Sequence, residues 1–199
     1  MELGKLAAEK NKIFAINLSA PFIPQFFKDD VDKAIPYCDY IICNETEAEA
    51  YAESHSISTR DRRELAKSLA NLPKENKHRK RVAIVTQGTD PTLIAVEGQN
   101  DVTEMPVHSI DADQINDTNG AGDAFAGGFM AGLVLGKELA TCVNMGQWLA
   151  RLSIQELGPS YAIPSPLRHF LLPLEMSTNT ASQVPHASSN VHRTLIIVS

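Results

Sequence analysis

The sequence predicts an α/β fold, a mostly parallel sheet with helices on both faces. Three observations carry that expectation. Short apolar runs bounded by turn residues recur at 13–18, 39–43 and 81–86. Stretches with helical spacing alternate with them. Thr92–Val96 and Val102–Val107 then read as antiparallel additions at one sheet edge.

Taken in order, residues 1–10 form the end of a helix, with Leu3, Leu6 and Ala7 on one side. Ile13–Leu18 is a buried strand closed by the turn residues Ser19-Ala20-Pro21. Phe22–Tyr37 is helical in pieces, broken by Pro24 and Pro36. Asp39–Cys43 is a second strand. Asn44 follows as the N-cap of a helix over Glu45–Ser54, whose first turn is acidic. Asp61–Asn71 is a helix with Leu65, Ala66 and Leu69 on one face. Arg81–Thr86 is the clearest strand and Gln87-Gly88 ends it. Two helices follow Gly120, over Ala121–Leu135 and Glu138–Leu157. Ser177–Asn190 is dense in Ser, Thr, Asn, Gln and Pro, and residues 166–199 read as a disordered tail. Leu195–Val198 is apolar but too short to assign.

Length and charge narrow the function. The chain has 199 residues and a formal net charge of -6. That length suits one domain with a sizeable core. The acidic balance argues against a nucleic-acid backbone as partner. Three cysteines, none in a CxxC pair, point to neither a zinc site nor a disulfide framework. A reducing, cytoplasmic setting follows. The longest nearly apolar run, Ala124–Gly136, is too short for a bilayer, so no membrane partner is expected. Lys77–Arg81 is a basic run that could serve nuclear import, though a solvated loop is the commoner meaning. No nucleophile-elbow motif is present.

The chemistry concentrates in Asp117-Thr118-Asn119-Gly120-Ala121-Gly122-Asp123. Gly120 and Gly122 let backbone approach a ligand closely. The helix that follows opens with unpaired N–H groups at its positive end. Gly120, Ala121 and Gly122 thus make an anion hole suited to a transferring phosphoryl group. Asp123, in the first helical turn, is placed to take a proton from an attacking hydroxyl. The bland alternative is a glycine turn with an acidic residue at a helix start. Neither a Walker loop nor a GxGxxG fingerprint is present. Asn44 and Glu47 have the spacing of a capping box. An amide and a carboxylate also suit hydrated Mg²⁺, which keeps several waters.

These stretches resemble the ribokinase-like (PfkB) carbohydrate kinases over residues 12–163. The match lies in Asp117–Asp123, with Asn44-Glu45-Thr46-Glu47-Ala48, Thr86-Gln87-Gly88 and Asn17–Ile23. The last run points to the adenosine-phosphorylating branch. The resemblance implies a ribokinase-like three-layer sandwich and transfer of the ATP γ-phosphoryl group to the 5′-hydroxyl of adenosine, giving AMP in purine salvage. It makes Asp123 the base and Gly120–Gly122 the anion hole. Phe22 becomes an aromatic wall of the nucleoside pocket and Asn119 a nucleoside contact. Thr86 and Gly88 border ATP, and Asn144 and Gln147 lie near its adenine. Asn44 and Glu47 organise Mg²⁺, largely through water. Without the resemblance, Phe22 reads as a core residue beside Phe26 and Phe27, and Asn144 and Gln147 as satisfied polar positions on a helix.

The family's N-terminal strands, lid and ribose-gripping aspartate have no counterpart in this sequence. Residues 1–165 therefore read as the C-terminal, nucleotide-binding part of such a domain, with weak or no activity by itself. A monomer is the expectation for a complete fold. A kinase for another sugar or nucleoside, and a non-catalytic nucleotide-binding fragment, are the alternatives.

Overall fold

The structure, a computed structural model, describes residues 2–158 and 195–198. Its helices are α1 (Glu2–Glu9), α2 (Phe22–Phe26), α3 (Lys28–Ala34), α4 (Glu45–Ser54), α5 (Arg62–Ala70), α6 (Ala121–Val134) and α7 (Leu139–Ser153). Its strands are β1 (Ile13–Asn17), β2 (Tyr40–Asn44), β3 (Val82–Gln87), β4 (Asp90–Val96), β5 (Val102–Met105) and β6 (Leu195–Val198). They form one six-stranded sheet in the order β5-β4-β3-β2-β1-β6. Strands β6, β1, β2 and β3 run parallel, and β4 and β5 are antiparallel additions. The expected fold class is the one that forms.

Strand alternation sorts the core into two layers. Phe14, Ile16, Ile41, Cys43, Ala83 and Val85 face one side, packed on residues of α1, α3, α4 and α5. Ala15, Ile42, Val82, Ile84 and Ile94 face the other side, under Phe125, Phe129, Met130 and Leu133 of α6. Phe129 is fully buried. Truncating such a ring costs about 3–5 kcal/mol.

Gly128 and Gly132 of α6 face α7 rather than the sheet. A Cβ on Gly128 would lie 2.4 Å from the Met145 carbonyl oxygen, and one on Gly132 2.9 Å from Cys142 Cα. From α7, Gly146 meets Phe125 in the same way at 2.8 Å. Missing side chains therefore let the two helices touch backbone to backbone, while the apolar stripe of α6 serves the sheet.

Local signals set the ends. Asn44 and Glu47 form a complete capping box at α4, and Asp61 caps α5 by accepting from Arg63 and Glu64. Gln87 pairs with Asp90 across a two-residue hairpin loop, with Gly88 at φ +59. Helix α7 stops at Ser153 rather than Leu157, ahead of Gly158 at φ +72. Leu195–Val198, unassigned from the sequence, becomes β6. Ser177–Asn190 and the rest of the expected tail lie outside the described residues.

The run Lys77–Arg81 divides: Lys77, His78 and Lys80 are exposed, as expected of a solvated loop, whereas Arg79 is half-buried and Arg81 is not solvated at all. Arg81 is fully buried and donates to the carbonyls of Ile35, Cys38, Leu72 and Pro73. Arg79 donates to the Asp39 carboxylate at 2.9 Å and to the carbonyls of Asn11 and Lys12. Asp39 is itself fully buried, with Lys74 and Asn76 each 3.1 Å away. This network fastens segment 72–81 to the amino ends of β2 and β3. Cys38, Cys43 and Cys142 are buried. Burial pushes the Cys38 thiol up to about 12, and the Cys43 thiol higher still. Among the described residues no helix is long and apolar enough to cross a membrane.

Candidate active site

Parallel strands bring separate stretches of sequence side by side. Asn44 pairs with Thr86 across β2 and β3, at the carboxyl ends of both strands. Open α/β sheets bind ligands beyond such ends. Asn17 closes β1 on the same side, paired with Ile42. The Thr86 hydroxyl donates to the Cys43 carbonyl at 3.5 Å, and Gly88 is exposed in the hairpin that follows.

Helix α6 begins beside these ends. Its N-cap is Gly120, at φ +79 and ψ -3, and no side chain caps it. A left-handed residue there favours glycine. The Asp117 carboxylate accepts the Asn119 N–H at 2.9 Å and holds the turn ahead of it. The Ala121 N–H reaches the Thr118 carbonyl at a long 3.3 Å. Helix geometry leaves the N–H groups of Gly122 and Asp123 with no carbonyl four residues back. Gly120, Gly122 and Asp123 are exposed, so this turn is an open shelf facing solvent.

Asp123 shares its surroundings with Glu47. Burial raises the Glu47 pKa most, and the negative charges of Glu45 and Asp123 raise it further, against a backbone hydrogen bond from Asn44. The Glu47 carboxylate accepts from the Asn44 N–H at 2.9 Å and from its amide Nδ2 at 2.8 Å. Each carboxylate oxygen keeps a further lone pair. The Asn44 amide and the Glu47 carboxylate, with Asp123 near enough to raise Glu47, are oxygen donors of the kind a hydrated divalent cation takes. No cluster of three or more metal-ligating side chains occurs among the described residues.

The other expected residues scatter. Phe22 opens α2 at 51% exposure, with Phe26 at 78% and Phe27 at 52%. A core role for these rings is therefore wrong. Asn119 is exposed beside the shelf. Asn144 is half-buried on α7. Gln147 is buried against the sheet, where its amide donates to Thr92 Oγ1 at 3.1 Å and to the Met105 carbonyl at 3.3 Å. Its Oε1 is buried without a hydrogen-bond partner. A cavity of about 470 Å³ lies elsewhere, along α4 and α5 between Glu49 and Leu65, and includes none of the expected residues.

Two residues escaped the sequence reading. Asn116 ties the glycine turn to the C-terminal end of α7: its N–H donates to the Ile154 carbonyl at 2.8 Å and its amide to the Gln155 carbonyl at 2.6 Å. Arg62 reaches Gln87 Oε1 at 3.3 Å and steadies the end of β3. Neither carries a local signal, since both partners are distant in sequence. Ser54, His55 and Asp32 also meet, at 2.9 and 2.7 Å. The Ser54 hydroxyl donates to the Tyr51 carbonyl, and the imidazole stacks on Tyr51 at the end of α4. The trio ends a helix and does not form a nucleophile.

The fold is the ribokinase-like one, with the glycine-capped start of α6 exposed beside the strand ends. The family model described as pfkB family carbohydrate kinase matches residues 1–166, and the chain belongs to that family. An adenosine kinase of Schizosaccharomyces pombe is 45% identical over 171 residues, which cover 86% of this chain and 49% of the relative. The crystal structure of Anopheles gambiae adenosine kinase with P1,P4-di(adenosine-5) tetraphosphate superposes with a TM-score of 0.76 at 45% identity, over 80% of this chain and 49% of that one. Schistosoma mansoni adenosine kinase in complex with 2-fluoroadenosine gives 0.75 at 39% identity, over 80% and 46%. The chain spans about half the length of the relatives it matches.

Proposed function

We propose that this chain carries the phosphoryl-transfer centre of an adenosine-phosphorylating kinase. The reaction moves the γ-phosphoryl group of ATP to the 5′-hydroxyl of adenosine and releases ADP and AMP, a purine-salvage step. The carrying observation is the left-handed Gly120 cap that exposes the first amides of α6 beside Asp123. As the 5′-oxygen attacks phosphorus, the Asp123 carboxylate takes its proton, and the Gly122 and Asp123 amides face the charge that builds on the phosphoryl oxygens. Asn44 and Glu47 would hold Mg²⁺ through water, and the ion would neutralise phosphate charge when bound. Thr86 and Gly88, at the end of β3, border the ATP. Phe22, exposed beyond the end of β1, offers a ring for a purine to stack on, with Asn119 as a further nucleoside contact. Asn144 reaches the adenine of ATP from α7. Gln147 belongs to the same proposal, although its amide serves the sheet.

The relatives named above act on or bind adenosine compounds, which supports adenosine over a sugar as acceptor. Cys38 and Cys43, buried and in no disulfide, support a reducing, cytoplasmic setting. One observation favours a nucleotide-binding role with little turnover: Phe22 and Asp123 both stand in solvent, and water-exposed transfer is slow and unselective. Phosphate transfer by the purified 199-residue chain is therefore expected to be weak. The test is AMP formation from labelled ATP, with adenosine and ribose in competition. Asp123→Ala is expected to lower transfer about 10²–10⁴-fold while ATP still binds. Transfer that survives the change would remove Asp123 from the chemistry.

A further inference from the structure

The family match ends at residue 166, yet a segment well beyond it completes the sheet. β6 lies parallel to β1, with Ile13 opposite Leu195, Phe14 opposite Ile196, Ala15 opposite Ile197 and Ile16 opposite Val198. On its other side β1 meets β2: the Phe14 carbonyl accepts from Asp39 N–H at 2.7 Å, and the Leu18 N–H donates to the Ile42 carbonyl at 3.0 Å. Backbone groups alternate sides along a strand, so the N–H groups of Ala15 and Asn17 point the opposite way, toward β6. Without β6, β1 would be a sheet edge whose own residues Phe14, Ala15 and Ile16 are buried core. An open edge beside apolar core is a template for pairing with another chain.

The covering segment has a matching hazard. Leu195-Ile196-Ile197-Val198 is uncharged, β-branched in three of four positions, and free of Pro and Gly. Such a run pairs readily as a strand when left unprotected. It follows the polar stretch Ser177–Asn190, whose composition has no use for a packed core.

We propose that the β1 edge is a strand-acceptor surface, and that its occupant is the chain's own C-terminal tetrad, Leu195–Val198, acting as a parallel edge cap outside the family domain. The pairing silences two self-association sites at once. When the cap is withdrawn, the surface takes a second copy of the chain. This inference is independent of the kinase reading, because it rests on backbone pairing and not on chemistry at Asp123.

The test uses the full chain with Ile196→Pro and Val198→Pro together, since the register turns these two N–H groups toward β1 and proline removes both. Amide exchange and light scattering after size exclusion are measured. Ala15 and Asn17 amides are expected to exchange about tenfold faster, the effect of losing one hydrogen bond's worth of protection, with β3 amides unchanged. The variant is expected to self-associate as concentration rises, and a synthetic peptide of residues 193–199 should return it to the wild-type mass. A variant that keeps wild-type exchange at Ala15 and Asn17 and stays at wild-type mass overturns the proposal. So does loss of protection in β3 as well, which would make the segment an integral core strand.

Discussion

At the amino ends of β2 and β3 the chain buries Asp39 and Arg81 completely and partners both. At the carboxyl ends of the same strands it leaves Asp123, Asn119 and the first amides of α6 in solvent. One end consists of charges that folding itself must match, because an unpaired buried charge costs several kcal/mol. The other consists of groups whose partners the chain does not supply, which solvent keeps inexpensive until a ligand arrives. Glu47 marks the boundary. It is buried like Asp39, but its charged neighbours are other carboxylates, and its pKa rises accordingly.

The contrast can be broken hardest at Arg81. Arg81→Ala strands four carbonyls and uncouples segment 72–81, so stability is expected to fall by about 3–5 kcal/mol in urea unfolding. A loss near zero would mean the network is ornamental. Asn44→Ala removes the cap of α4 and should cost about 1 kcal/mol, read from the unfolding midpoint. Its effect on transfer should exceed that, if the same amide also organises the phosphates.

Glu47 predicts a pH dependence with a definite sign. Its pKa is raised in the folded chain, so its contribution is fully present below the ordinary carboxylate range. That contribution is lost as pH rises through the raised value. Glu47→Gln should flatten this part of the stability profile, checked by unfolding midpoints across the acidic range. The smallest change in stability is expected from Asp123→Ala. An exposed carboxylate repelled by Glu47 contributes nothing to folding, so the midpoint should hold within about 0.5 kcal/mol even as transfer collapses. A large destabilisation would move Asp123 into the structural half of the comparison.

Much of the architecture was legible in local pattern. Short apolar runs mark β1 to β5, Asn44 and Asp61 mark helix starts, and Gly88 marks the hairpin. The glycine turn before α6 was legible too, since glycine takes the φ found at Gly120 more readily than any other residue. What stayed hidden involved distant partners. Within the Lys77–Arg81 run, Arg79 and Arg81 look like solvated charge until Asp39 and four carbonyls partner them, while Lys77, His78 and Lys80 stay exposed. The Phe22, Phe26 and Phe27 cluster looks like core because three rings in six residues ordinarily are, yet no described element covers them. The α6 glycines reveal their use only when α7 lies against them.

Residue order alone determined the periods, caps and turn conformations, because those depend on contacts within four residues of one another. Tertiary structure alone decided that Asn44 stands beside Thr86, that Asp123 and Glu47 feel each other's charge, and that residue 195 returns to the edge at residue 13. Such proximities arise from packing between segments far apart in sequence, and no local preference encodes which partner a strand end or a buried charge will find.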